Sequence, residues 1–128
     1  MQEITPHIHN VVELIAKVGD LNYPLAWSDI DKALAKDFVM IAQNKKTCDY
    51  QGLIKHFDHI QKQTGNWKIN VYETILTPEK QIIRYTLTTE HKGTGHVIAI
   101  FKYRPGESLA YEMNEVFNTG DHTLDVSV

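Results

Sequence analysis

One cysteine, Cys48, stands in the 128 residues. With no second thiol, no disulfide closes within the chain, and a lone thiolate cannot build a metal centre. Four prolines and seven glycines are too few for a collagen-like or low-complexity chain. No charge of one sign dominates: 13 Lys and Arg face 16 Asp and Glu, for a formal net charge of −3. Without a basic stripe, neither nucleic acid nor an anionic membrane surface is an expected partner. No apolar run approaches the roughly 20 residues that cross a bilayer as a helix, and the N-terminus lacks a signal-peptide pattern. The expectation is one domain over 1–128, in the reducing cytoplasm and away from membranes. A hydrophobic share of 42% is too high for disorder.

What is present is a switch of hydrophobic period near Gly65. Thr5-Pro6 reads as a helix opening, followed by the stripe Ile8, Val11, Val12 and Ile15 and a stop at Gly19. A loop around Pro24 carries Tyr23 and Trp27. Ser28 is then expected to cap a second helix, with Asp31 in its first turn and Ile30, Ala33, Leu34 and Phe38 as its apolar face. Residues 38–41 read as a short buried strand, and the polar run 43–47 as a stretch leading away from it. Asp49 is expected to cap a third helix whose stripe is Tyr50, Leu53, Ile54, Phe57 and Ile60.

Beyond Gly65 four segments alternate, at about 67–76, 81–91, 95–104 and 108–118. Short loops at 77–80, 92–94 and 105–107 join them as hairpins. The fold class predicted is α+β: three N-terminal helices packed on a strongly curved antiparallel sheet, cone-shaped.

Side chains alternate across a strand. In the last segment the row Leu109, Tyr111, Met113, Glu115, Phe117 is apolar except for Glu115. A carboxylate on such a face loses solvation, holds its proton more tightly, and can act as a general acid or base near neutral pH. A solvated mouth or a dimer contact is the structural alternative. Glu73 interrupts the first segment in the same way and reads as a charged edge residue. Tyr85 is expected to face inward and Arg84 outward. Ile98 and Ile100 are then left on the outer face, where a second copy of the chain would cover them. Tyr23, Trp27, Met40, Tyr85, Phe101, Tyr111, Met113 and Phe117 are candidates to line a cavity for a hydrophobic small molecule. Core packing is the alternative for the same side chains.

Seven histidines supply no metal motif. His56 and His59 sit three apart, beside the apolar stripe rather than on it, and are expected to face water. No metal and no cofactor is expected. Gly93-Thr94-Gly95 reads as a hairpin turn.

In the order and spacing of these pieces the chain resembles the nuclear transport factor 2-like superfamily, in particular its SnoaL-like polyketide cyclase branch. The pieces are Gly19-Asp20 after the first helix, residues 35–40 entering a short strand, and residues 49–54 opening the third helix. Residues 83–88 with His91 and Gly93, and the strand 112–118, complete the set. The resemblance implies a cone of the cystatin-like α+β barrel type, with a ligand pocket and dimerisation through the sheet. It implies a carboxylate acid or base on the last strand, which Glu115 matches, and a histidine after the second long strand, which His91 matches. A ketosteroid-isomerase-type site is not implied, because Val11, Val12, Ala42, Gln43 and Ala99 stand where its tyrosine and acids would be. An arginine of the epoxide-hydrolase type has its nearest candidate in Arg84. An acid–base enzyme, a non-catalytic binding domain and a dimeric interaction module all stay open.

Overall fold

The computed structural model describes residues 7–118, with side chains from residue 10 onward. The Thr5-Pro6 opening, the side chains of residues 7–9 and the tail from Thr119 lie outside the described residues. Three helices, α1 (His7–Val18), α2 (Trp27–Asp31) and α3 (Leu53–Thr64), accompany six strands. The strands are β1 (Leu34–Ala42), β2 (Lys45–Asp49), β3 (Trp67–Thr77), β4 (Lys80–Thr89), β5 (Thr94–Tyr103) and β6 (Ala110–Asn118). They form one sheet in the order β2-β1-β6-β5-β4-β3.

The α+β class and the hairpins of β3 to β6 agree with the sequence pattern. The antiparallel description needs correction, because β1 runs parallel to β6 and pairs Met40 with Met113 and Ala42 with Glu115. The closed barrel needs the same treatment: β2 and β3 are the two free ends of the strand order, so the sheet is open.

The N-terminal half departs most from its pattern. The second helix is a single turn with Ala26 at its N-cap, and Asp29 rather than Asp31 reaches back to accept from the Ala26 amide at 3.0 Å. Leu34 and Phe38 belong to β1, not to that helix. The polar run after Ala42 is a tight hairpin, with Gln43 and Asn44 at φ of 51° and 66°, and it leads into β2. Two consecutive left-handed residues match the twist of the flanking strands. Asp49 does cap, but it caps the 3-10 turn Tyr50–Gly52 that precedes α3, accepting from the Gly52 amide at 3.1 Å.

The core lies between the helices and one face of the sheet. Val11, Leu14 and Val18 of α1 and Leu53 of α3 pack against Ile83, Val97, Ala99 and Phe101. The join between α1 and the sheet is tight at one point. A Cβ on Gly19 would stand 2.2 Å from the Trp67 ring, whose indole N–H donates to the Ile15 carbonyl at 3.0 Å. Among the described residues no helix is long and apolar enough to cross a membrane.

Candidate functional site

A cavity of about 130 Å³ lies between the helices and the inner face of the sheet. Val11, Leu14 and Ile15 form its wall on α1, and Phe57 and Ile60 on α3. Phe38, Met40, Phe101, Met113 and Phe117 line it from the strands. An engineered apolar cavity of about 150 Å³ admits benzene, so this space suits a molecule of about one ring.

Glu115 enters the cavity from β6. The residues directly across from it on the adjoining strands are Ala99 on β5 and Ala42 on β1, both small. Among the described residues no hydrogen bond or ion pair reaches its carboxylate. Loss of hydration pushes the Glu115 carboxyl up from 4.5 to about 7. Both protonation states are therefore populated near neutral pH.

Tyr85 lies on β4, opposite Val97, and is only 2% exposed. Burial, then the nearby Glu115 charge, raises its hydroxyl well above the ordinary tyrosine range and keeps it neutral. No hydrogen bond among the described residues engages that hydroxyl.

His56 corrects the reading of the third helix. The buried side of α3 is Leu53, His56, Ile60 and Thr64, a row turned round the helix from the stripe expected. His56 is 4% exposed and lines the cavity. Its Nδ1 is buried with no hydrogen-bond partner among the described residues, an arrangement that generally costs about 1–3 kcal/mol. Burial, and secondarily His59, pushes the imidazole down from 6.5 to about 4, so it is neutral at pH 7.

Other polar groups along the wall are already engaged. The Thr64 hydroxyl donates to the Ile60 carbonyl at 3.1 Å, the Trp67 indole to Ile15, and the Thr89 hydroxyl to the Gly93 carbonyl at 2.7 Å. On the lining, Glu115, Tyr85, His56 and the half-buried Lys92 of the β4–β5 loop are the polar side chains left to meet a ligand.

Of the residues singled out in the sequence, Met40, Tyr85, Phe101, Met113, Glu115 and Phe117 line the cavity. Tyr23, Trp27 and Tyr111 do not. Tyr23 is drawn aside by Asp29, to which its hydroxyl donates at 2.7 Å. Trp27 lies against Tyr50 with ring centroids 4.8 Å apart. The β5–β6 register shifts between Lys102 and Tyr103, breaking the alternation so that Ala110 and Met113 are buried. Tyr111 instead lies beneath the Arg104 guanidinium at 4.4 Å. Arg84 is exposed and pairs with Glu73 across the β3–β4 ladder at 3.4 Å. His91 is exposed and is not among the lining residues. Among the described residues no three of His, Cys, Asp and Glu converge as a metal set would.

No protein-family profile matches the chain, and no curated protein does. Solved structures do match. A candidate SnoaL-like polyketide cyclase from Jannaschia sp. CCS1 superposes with a TM-score of 0.73 at 11% identity, covering 92% of both chains. The chain has the SnoaL-like fold. IdmH, a candidate polyketide cyclase from Streptomyces antibioticus, shares this SnoaL-like fold with a TM-score of 0.70 at 10% identity, over 88% of this chain and 92% of its own. A candidate isomerase of the SnoaL-like family from Agrobacterium tumefaciens str. C58 gives 0.68 at 6%, over 88% and 97%. At such identities the SnoaL-like likeness is one of backbone, and activity has to be argued from the site.

Proposed function

We propose that the protein is an acid–base enzyme of cyclase, isomerase or hydratase type, acting on a hydrophobic small molecule held in the cavity. Glu115 moves the proton. The observation that carries this reading is a carboxyl without a partner among the described residues, poised at about 7 inside an apolar cavity. A group with proton affinity near the ambient pH serves equally as base and as acid, so it can take a proton beside a carbonyl and return it elsewhere. The Tyr85 hydroxyl donates to the carbonyl oxygen as negative charge develops there. In this reading the sheet curls round the ligand as a cone. The exposed apolar residues Tyr72, Ile98 and Val116 on its outer face are covered by a second copy of the chain, with Ile98 and Val116 directly paired across β5 and β6.

The test is hydrogen–deuterium exchange at the α-carbon of cyclohexenone in heavy water, followed by NMR. The protein should accelerate exchange over buffer with a midpoint near the Glu115 value, and Glu115→Gln should abolish the acceleration. A second reading, a non-catalytic binding domain, is favoured by the lack of any charged partner for Glu115 among the described residues. Binding of cyclohexenone without faster exchange would select it.

A further inference from the structure

The helix wall of the cavity carries a polar group that no residue motif pointed to. His56 projects from α3, while Glu115 and Tyr85 stand on the sheet. The imidazole is 96% buried by virtue of its 4% exposure, lines the cavity, and has an Nδ1 that no described residue satisfies. Buried polar groups in folded proteins are nearly all hydrogen-bonded, so an imidazole left unsatisfied on a cavity wall calls for a partner. Apart from the Thr64 hydroxyl, already engaged by the Ile60 carbonyl, the rest of that wall is hydrocarbon: Phe57 and Ile60 on the same helix, and Val11 and Leu14 on α1.

We propose that His56 is the second hydrogen-bonding pole of the site, and that the ligand is an uncharged, one-ring-sized molecule with polar groups at both ends. One end meets Glu115 and Tyr85 on the sheet, and the other meets the imidazole on the helix. The inference rests on the cavity being the ligand site, as in the proposed function. The size follows from the cavity volume of about 130 Å³. Neutrality follows from the charges available. Glu115, Tyr85 and the neutral imidazole of His56 offer no positive charge at pH 7, and an anion between them would sit against the Glu115 carboxylate. Lys92, on the β4–β5 loop, is the one lysine or arginine on the cavity lining.

Hydroquinone (under nitrogen), phenol, benzene and benzoate form a probe set that varies the number of poles and the charge at nearly constant size. Their affinities for the full chain are measured by NMR titration. In the wild type, hydroquinone should bind about tenfold more tightly than phenol, the ratio expected for one added hydrogen bond in a buried site. Benzoate should not bind measurably at about pH 8, where it is ionised. His56→Phe should bring hydroquinone down to the affinity of phenol while leaving phenol and benzene within about threefold of their wild-type values.

Should His56→Phe fail to fold, the imidazole nitrogen shifts of the wild type report directly. Hydroquinone should move them and benzene should not. Unaltered hydroquinone selectivity in His56→Phe, or benzoate binding as tightly as phenol, overturns the inference. Failure of cyclohexenone exchange with these affinities intact removes only the acid–base reading. Exchange that persists while the probes behave alike removes only this one.

Discussion

Replacing Glu115 by Gln keeps the shape of the side chain and removes a charge that folding has to strip of water. The folded carboxyl sits at about 7 and the unfolded one at its ordinary 4.5. At about 1.4 kcal/mol for each tenfold change in proton affinity, that gap corresponds to about 3 kcal/mol. The folded protein keeps this proton over a range in which the unfolded chain has lost it. The stability contributed is therefore full below about pH 4.5, declines as pH rises, and is gone above about pH 7. His56 works in the opposite sense. Its imidazole is pushed down from 6.5 to about 4, so the unfolded chain takes up a proton that the folded one refuses. Its contribution is full above about pH 6.5 and fades as pH falls toward 4. Between about pH 4.5 and 6.5 the two slopes oppose, and the wild type should show little pH dependence from this pair. Urea unfolding of wild type and Glu115→Gln, in steps from about pH 4 to 8, separates them. The two proteins should be equally stable at the acid end. The variant should then gain on the wild type until it leads by up to about 3 kcal/mol at pH 8. Its own stability should climb between about pH 4 and 6.5 as the histidine slope is unmasked. A difference between the two proteins that does not change with pH, or a wild type that is the more stable at pH 8, refutes the argument.

Gly19→Ala places a methyl 2.2 Å from the Trp67 ring. It should cost about 1–3 kcal/mol in a thermal or urea melt, because ring and helix have to separate. Tyr85→Phe removes a hydroxyl that no described residue engages, so stability should stay within about 1 kcal/mol while cyclohexenone exchange slows by about tenfold or more. Ile98→Asp sets a charge in the exposed patch with Val116. In light scattering the wild type should run as the proposed dimer and the variant as a monomer, with the far-ultraviolet helix and strand signal unchanged.

The elements most legible in the sequence were those whose partners are close along the chain. β3 to β6 follow one another through short loops, and the alternation of Val97, Ala99 and Phe101 reports their common buried face directly. The β1–β6 pairing joins segments some 70 residues apart, and nothing local encodes it. The β1–β2 turn lacked the usual Asn-Gly signal: Gln43 and Asn44 take up left-handed backbone without any glycine. Ile30, Ala33 and Leu34 have helical spacing, but only Ile30 is in the helix, and the pattern is an accident of a turn running into a strand.

Glu115 was legible because a charge in an apolar strand row contrasts sharply with its neighbours. His56 escapes the pattern because Tyr50, which spacing alone joins to the apolar stripe of α3, belongs to the preceding 3-10 turn. Starting the helical wheel at Leu53 places His56, Ile60 and Thr64 on its inner side. Nothing in the sequence marks the register shift after Lys102 that takes Tyr111 off the cavity face. Such a slip leaves composition and spacing untouched while exchanging the faces of the residues beside it.

The position of β6 in the strand order also bears on how the molecule is made. It is the seam between β1–β2 on one flank and β5–β4–β3 on the other. While the chain is being synthesised, the first hairpin can form early, but its inner edge stays bare until residues 110–118 leave the ribosome. A nascent chain stopped short of Ala110 thus holds two half-sheets, each with an unsatisfied border open to any extended strand nearby. Arrest there should leave it dependent on chaperones, and release of the chain with residues 110–118 in place should relieve that dependence.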